Sequence, residues 1–258
     1  MTRIYAITNQ KGGVGKTTTS INLAASLAAT RRRVLLVDMD PQGNATMGSG
    51  LDKYELELSS AELLLGQAEA RQAIERLEHT GYDMIGANGE LTAAEVELMN
   101  QFGREFKLKR ALEPVLADYD FVLIDCPPSL NMLTVNALVA AQGVIIPMQC
   151  EYYALEGLTA LMQTIDSIRE AVNPELRIEG LLRTMYDPRN NLAQDVSSQL
   201  KEHFGDKVYN TIIPRNIRLA EAPSHGMAVI HYDQQSKGAR AYLALAGEIL
   251  RRETRTAA

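Results

Sequence analysis

A glycine-rich loop with two lysines is the part of the sequence best suited to bind phosphate. It runs from Asn9 to Thr18, directly after a short apolar segment and directly before a helical pattern. Glycines allow several backbone N–H groups to point at one anion, and the following helix adds the positive end of its dipole. We therefore predict a nucleotide phosphate site, formed by Gly12, Gly13, Val14, Gly15, Lys16, Thr17 and Thr18.

The polar side chains of this loop have distinct expected roles. We expect Lys16 to reach the β- and γ-phosphates, Thr17 to offer its hydroxyl to Mg²⁺ and Thr18 to meet the α-phosphate. The loop departs from the usual phosphate-loop pattern because Gln10 stands where the first glycine belongs. The alternative is a glycine-rich turn that only joins a strand to a helix. A chance match of this many residues has a probability on the order of 10⁻⁵, which favours the phosphate site.

Two further apolar segments end in carboxylates. Phe121 to Asp125 resembles a Walker B strand, in which the carboxylate of Asp125 holds Mg²⁺ through water. Val34 to Asp38 is followed by Asp40, and because these two carboxylates are two residues apart they lie on the same side of the strand. A carboxylate that closes an apolar run can also be a helix cap or a turn residue, and either segment alone leaves that alternative open.

Strand-like apolar runs alternate with helix-like segments along most of the chain. This alternation predicts an α/β fold with a mostly parallel, twisted sheet and helices on both faces. We expect one domain over residues 1–258. Residues 52–117 are the least regular part, where we expect short helices around a strand near Tyr82. The predicted strands are Ile4 to Thr8, Val34 to Asp38, Tyr82 to Gly86, Phe121 to Asp125, Gly143 to Met148, Ile178 to Thr184 and Val208 to Ile213. The predicted helices are Lys16 to Thr30, Asn131 to Ala140, Leu155 to Ala171, Asn191 to Phe204 and Ala239 to Arg252.

Composition excludes several classes of protein. The chain has 258 residues, 46% of them hydrophobic and 22% charged, which are ordinary values for a globular protein. No apolar run approaches the ~20 residues of a membrane span, and no leader precedes the first strand, so we expect a cytoplasmic protein. Lysine and arginine number 15 against 24 acidic residues up to residue 182, and 11 against 8 beyond it. The last third is therefore basic on an acidic body, and it is the part in which we expect phosphate-binding surface.

The loop Lys11 to Thr18, read Lys-Gly-Gly-Val-Gly-Lys-Thr-Thr, resembles the deviant Walker A motif of the ParA/MinD family of ATPases. The match extends over nearly the whole chain and is closest to chromosome-type, Soj-like ParA proteins. The resemblance implies that Lys11 is a signature lysine that reaches the partner's phosphates in a nucleotide-sandwich dimer. It also implies that Asp40 positions the attacking water and that Asp38 lies near the Mg²⁺ shell.

The same resemblance implies ligands and partners. These are ATP and Mg²⁺, an ATP-dependent homodimer, non-specific double-stranded DNA and hydrolysis stimulated by the N-terminal segment of a ParB-like partner, at the nucleoid. Met185 and Pro214 would contact the base and Asn216 would bond to it, although ordinary loop packing is the alternative. Arg189 and Arg218 match DNA-binding positions of the family. Scattered salt bridges are the alternative for these arginines and for the neighbouring basic residues Arg215, Lys237 and Arg240.

Other functional hypotheses have less support in the sequence. A MinD-like, membrane-bound cargo-positioning ATPase needs a terminal amphipathic helix, and residues 251–258 contain no Phe, Leu, Ile or Trp. The first strand begins by residue 3, so we expect no N-terminal helix-turn-helix and no operator-specific repression. A metabolic P-loop ligase would need a small-molecule pocket that no motif indicates. Cys126 and Cys150 are expected to be small buried residues, and the four histidines are too dispersed for a metal site.

Overall fold

One eight-stranded sheet organises the chain in the computed structural model, which describes residues 2–152 and 154–256. The strands are β1 (Arg3–Ile7), β2 (Val34–Asp38), β3 (Ile74–Leu77), β4 (Tyr82–Ile85), β5 (Phe121–Asp125), β6 (Gly143–Gln149), β7 (Arg177–Tyr186) and β8 (Val208–Pro214). Their spatial order is β3-β4-β2-β5-β1-β6-β7-β8, and every neighbouring pair except β3–β4 is parallel. Tyr153, within the 151–157 segment that carries part of the resemblance, and the terminal residues 257 and 258 lie outside the described residues.

Helices follow nearly every strand, as parallel crossovers require. They are α1 (Lys16–Ala28), α2 (Asn44–Gly48), α3 (Ser60–Leu65), α4 (Ala70–Ala73), α5 (Glu90–Leu98), α6 (Lys107–Leu112), α7 (Met132–Ala140), α8 (Ala154–Ala171), α9 (Asn191–Phe204), α10 (Ile217–Glu221), α11 (Val229–Tyr232) and α12 (Lys237–Thr256). Short 3₁₀ helices lie at Arg104–Phe106, Glu113–Asp118, Gly205–Lys207 and Ala222–His225. Within the described ranges, no helix combines the length and the apolar character that crossing a bilayer requires.

Successive residues of each strand point to opposite faces of the sheet, so the core has two layers. Ile4 and Ala6 of β1 pack with α3 and α5 to α9 on one face, whereas Tyr5 and Ile7 pack with α1, α11 and α12 on the other. Because both faces are covered, β2 and β5 are buried at every position. The prediction of an α/β fold with a mainly parallel sheet and helices on both faces is confirmed.

One strand, β3, has no counterpart among the strands predicted from the sequence. β3 is four residues long, lies at the edge of the sheet and pairs antiparallel with β4. Glu75 and Arg76 in its middle are exposed, so the segment shows neither the continuous apolar run of a buried strand nor a long alternation. The last helix also begins earlier and ends later than predicted, at Lys237 and Thr256.

Strand register brings the chemically active loops to one edge of the sheet. β1 lies between β5 and β6, with Ile7 beside Asp125. In the next pair, Asp38 of β2 also stands beside Asp125. The carboxyl ends of β1, β2 and β5 therefore meet, which is where open α/β sheets bind their ligands.

Candidate nucleotide site

The glycine loop has the backbone conformation of an anion cradle. Gly13 and Gly15 have φ values of 73° and 86°, and Gly15 caps α1 in the left-handed region. Both positions need glycine because side chains with a Cβ rarely adopt these angles. Asn9 stabilises the start of the loop, since its Oδ1 accepts from Lys11 N at 3.0 Å and its Nδ2 donates to Pro147 O at 2.8 Å.

Two neighbouring strands hold the middle of the loop. Gln149, the last residue of β6, donates from Nε2 to Gly13 O at 3.2 Å. Thr184 in β7 donates its hydroxyl to Val14 O at 2.7 Å. Sequence reasoning did not single out Gln149 or Thr184 for this role. Both follow apolar runs of predicted strands, and that position is the signal that could have indicated them.

Lys16 is the buried cation of the site. Its side chain starts at the first turn of α1, is 7% exposed, and its Nζ donates to Lys11 O at 3.1 Å. Burial lowers the pKa of Lys16, and the nearby carboxylate of Asp125 opposes that shift. A buried ammonium group with few partners gains strongly from an anionic ligand, which agrees with the predicted role of Lys16 in phosphate binding.

Thr17 and Asp125 meet at the base of the loop and fit a magnesium ion. The Thr17 hydroxyl donates to Asp125 Oδ2 at 2.8 Å, and Ser20 donates to Asp125 Oδ1 at 2.7 Å. Among the described residues, no group of three or more His, Cys, Asp or Glu side chains could bind a metal by itself. A hydroxyl and one carboxylate suit Mg²⁺, which binds through one or two carboxylates together with substrate phosphates. Ser20 was missed by the sequence analysis, although it lies one helical turn after Lys16.

Asp38 and Asp40 have different environments. Asp38 is fully buried, and its Oδ1 accepts from Asp40 N at 3.0 Å while its Oδ2 accepts from Thr46 N and Oγ1. Asp40 faces the cleft, and its Oδ1 accepts from Gln42 N at 3.0 Å. Both carboxylate oxygens of Asp38 are therefore used within the protein, and they fix the backbone at Asp40 and at Thr46. The expectation that Asp38 lies near the Mg²⁺ shell stays a prediction.

A cleft of about 660 Å³ joins these groups. Its lining includes Gly12, Thr18, Asp40 and the predicted base contact Met185, whose backbone is left-handed at φ 49°. Pro214 and Asn216 do not line it. Pro214 ends β8, and the Asn216 side chain caps α10 by accepting from Arg218 N at 3.1 Å. The cleft wall on that side comes instead from Pro223 and Ser224, which sequence reasoning missed, and the base contacts of Pro214 and Asn216 remain predictions.

The predicted DNA-binding residues lie on the surface of the basic third. Arg189 is 88% exposed and pairs with Asp187 through two hydrogen bonds of 3.0 and 2.8 Å. Arg218 pairs with Glu221 at 2.8 Å and with Asp233 at 3.3 Å. The remaining members are exposed too, namely Arg215, Lys237 and Arg240. Hydrogen bonds from Arg189, and then the charges of Arg189 and Arg215, lower the pKa of Asp187.

Burial makes Asp125 costly to ionise, which gives a testable pH dependence. Burial, followed by the charge of Asp38, raises the pKa of Asp125. The folded state therefore keeps a proton that the unfolded chain loses, so the free energy of unfolding falls as pH rises from the ordinary carboxyl range through the raised pKa. Asp125→Asn should make the nucleotide-free protein more stable at pH 8, by on the order of 2 kcal/mol, with little change at low pH.

Thermal unfolding at pH 5 and pH 8 checks this, with Asp195→Asn on the exposed side of α9 as the control. The variant should also lose the extra stabilisation that Mg²⁺ with ATP gives the wild type. An Asp125→Asn protein that melts below wild type at pH 8 would contradict the assignment of a destabilising buried charge.

Comparison with known proteins decides the family. The family model described as an AAA domain matches residues 2–178. The chain is 53% identical over 249 residues to the sporulation initiation inhibitor protein Soj of Bacillus subtilis, covering 96% of this chain and 98% of that protein. It is 52% identical over 252 residues to the chromosome partitioning protein ParA of Myxococcus xanthus, covering 98% and 89%. This chain belongs to the ParA/Soj family. The resemblance inferred from the loop motif is confirmed.

Similar proteins of known structure have been solved with bound nucleotide and magnesium. A Mycobacterium smegmatis protein named cobyrinic acid a,c-diamide synthase, with a bound ATP analogue and magnesium, has a TM-score of 0.87 and 40% identity. The alignment covers 98% of this chain and 96% of that one. The prediction that a ParA/Soj-family site of this kind takes ATP and Mg²⁺ is confirmed, and the family is one of P-loop ATPases.

Proposed function

We propose that this protein is a ParA-type partition ATPase, in which ATP drives formation of a sandwich dimer that binds DNA without sequence preference. The observation that carries the proposal is the convergence of Lys16, Thr17 and Asp40 on one cleft, with Asp125 buried behind Thr17 and Lys11 exposed at the loop. Relatives named ParA and Soj support the assignment to chromosome or plasmid segregation. The entire chain, residues 1–258, would act as one ATPase domain.

Each residue of the site has a defined task in this mechanism. Bound ATP would supply the γ-phosphoryl group that is transferred to water, with ADP as the leaving group, and Mg²⁺ would neutralise charge on the phosphates. The loop amides and Lys16 bind and stabilise phosphate charge, while Thr17 and Asp125 hold the metal. Asp40 orients the attacking water, supported by the hydrogen bond between its backbone N–H and Asp38.

The loop is open to a second copy of the chain. Lys11, Gly12 and Gly13 are exposed, and a Cβ at either glycine would meet no atom within 4 Å. A partner can therefore approach the backbone at this point. Lys11 would then place its ammonium group against the partner's phosphates, where a cation supplied in trans can raise the hydrolysis rate by roughly 10³ to 10⁵.

DNA binding is assigned to the exposed basic residues. Arg189 and Arg218 lead this set, with Arg215, Lys237 and Arg240 beside them. The acidic partners of Arg189 and Arg218 are themselves partly exposed, and exposed ion pairs are weak, so phosphates can displace them at little cost. Two copies on one dimer double the number of phosphate contacts, which couples DNA affinity to ATP.

A mobility shift on the Arg189→Ala/Arg218→Ala protein tests this surface. With ATP, its DNA affinity should fall at least about tenfold. The slope of log affinity against log salt should become shallower by about 3 to 4, because four contacts are lost per dimer. Arg169→Ala, which removes an exposed arginine of α8, is the control. Unchanged affinity and slope would rule out this surface, and equal shifts with ATP, ADP and no nucleotide would rule out the ATP switch.

The proposed partner is a ParB-like protein whose N-terminal segment stimulates hydrolysis on DNA, which would place the protein at the nucleoid. Measuring phosphate release with DNA, with such a segment and with both tests this. The two together should raise turnover well above either alone. If neither changes turnover, the partner assignment fails.

A metabolic ligase is the second candidate, because one relative of solved structure bears the name of a diamide synthase. That activity would couple ATP hydrolysis to amide formation on a carboxylic acid. Turnover that responds to cobyrinic acid with an ammonia source, and not to DNA with the partner segment, would favour it. The exposed basic surface of the last third has no role in such a reaction.

A further inference from the structure

The signature lysine is held within its own subunit by an ion pair. Lys11 Nζ lies 2.5 Å from Glu151 Oε2, and the two side chains are 44% and 50% exposed. Glu151 lies two residues after the end of β6, and Gln149 at the end of β6 donates to the carbonyl of Gly13 on the same loop. The end of β6 therefore contacts the exposed part of the loop at two points.

We propose that Glu151 is a positioning residue that retains Lys11 in cis and thereby sets the concentration at which two subunits close. This inference rests on the proposed function, in which Lys11 reaches the partner's phosphates. The Lys11 ammonium group cannot stay paired with Glu151 and extend into another subunit. Dimerisation must therefore break this pair in both subunits.

The Lys11–Glu151 ion pair is strong enough to raise the protein concentration at which dimers form, but too weak to prevent dimerisation. An exposed ion pair shifts an equilibrium by about 1.4- to 5-fold. Because a symmetric dimer breaks two such pairs, the effects multiply to about 2- to 30-fold in the dimer dissociation constant. Charge attraction to a partner's phosphates can overcome a pair of this strength.

The loop backbone does not depend on Glu151. Lys11 N is held by Asn9 Oδ1 at 3.0 Å, and Lys11 O accepts from Lys16 Nζ at 3.1 Å. Thr184 holds Val14 O from the other side. Removing the charge of Glu151 should therefore free the Lys11 side chain while leaving the phosphate cradle in place.

The experiment measures dimerisation with ATP by sedimentation, in an Asp40→Ala background that blocks hydrolysis. Glu151→Gln should lower the dimer dissociation constant about 2- to 30-fold, with the ATP affinity of the monomer unchanged. Glu151→Asp should restore part of the wild-type threshold. Glu156→Gln, on an exposed acid of α8 nearby in sequence, is the matched control and should change neither value. In a Lys11→Gln background, Glu151→Gln should have no further effect.

The outcomes separate this inference from the function on which it rests. A dimerising parent whose dissociation constant is unchanged or raised by Glu151→Gln overturns the inference alone. A parent that stays monomeric with ATP overturns the proposed function and the inference together. Acylation of the Lys11 amine, followed by mass spectrometry, tests the pair itself, because Glu151→Gln should raise the labelling rate about 1.4- to 5-fold.

Discussion

Asp40→Ala is expected to leave ATP binding intact while slowing hydrolysis by about 10²-fold or more, so that ATP-bound dimers accumulate on DNA. Asp40 faces the cleft, and its carboxylate has one described hydrogen bond, from Gln42 N. It therefore contributes little to the fold of its own segment. Loss of its carboxylate should remove the group that orients water and leave the phosphate loop and Thr17–Asp125 contact unchanged.

Phosphate release, size exclusion with ATP and DNA retention after ATP is diluted measure this effect. Asp52→Ala is a matched control, because Asp52 Oδ1 accepts from Tyr54 N at 2.9 Å in the same way that Asp40 accepts from Gln42 N. The control should hydrolyse ATP like wild type. An Asp40→Ala protein that elutes as a monomer with saturating ATP would contradict the sandwich-dimer mechanism.

The parts of the fold that could be predicted from sequence are those with a strong local signal. β2 and β5 are continuous apolar runs because both faces of the sheet are covered, and their predicted bounds match the structure. β3 gave no such signal, since an edge strand of four residues owes its pairing to β4 rather than to its own pattern. Tertiary context also extends α12 to Lys237 and Thr256, beyond its clearest apolar periodicity.

The residues of the candidate site also differ in whether a local sequence signal indicates them. Gly13, Gly15 and Lys16 could be identified because loop chemistry depends on residue type at fixed spacing. For Gln149 and Thr184 the sequence indicates only a position near the end of a strand, because each bonds to a backbone carbonyl more than 130 residues away that no residue type marks. The pairing of Lys11 with Glu151 spans 140 positions, and opposite charges that far apart in sequence do not indicate which side chains meet.

For Asp38, the sequence predicts the position of the side chain but not its hydrogen-bond partners. Its place beside Asp125 follows from strand register, which a parallel sheet imposes on the ends of both runs. Whether its oxygens are free does not follow from sequence, and in the structure Thr46 and the backbone of Asp40 use both of them. Residues of the same type two positions apart therefore have different access to the cleft, because one is fully buried and the other faces it.

Lys16→Ala is expected to weaken ATP binding by at least about 2 kcal/mol, roughly 30-fold, and to abolish ATP-dependent dimerisation and DNA binding. The Lys16 ammonium group is the buried cation of the cleft, and no other lysine or arginine among the described residues lines that cleft. The fold should survive, because the described contact of Lys16 Nζ is with Lys11 O and the loop backbone is held by Asn9 and Thr184.

Gly12→Val separates binding from dimerisation and is the matched comparison. A Cβ at Gly12 meets nothing within 4 Å in the subunit, so this variant should keep the loop and Lys16 in place, lose much less ATP affinity than Lys16→Ala, and obstruct the approach of a partner. Calorimetry with ATP and sedimentation on both variants give the test. Two monomeric proteins, of which only Gly12→Val retains most of its ATP affinity, would place Lys16 in the nucleotide site and Gly12 at the subunit contact. Normal ATP affinity in Lys16→Ala would contradict the assignment of the loop as the phosphate site.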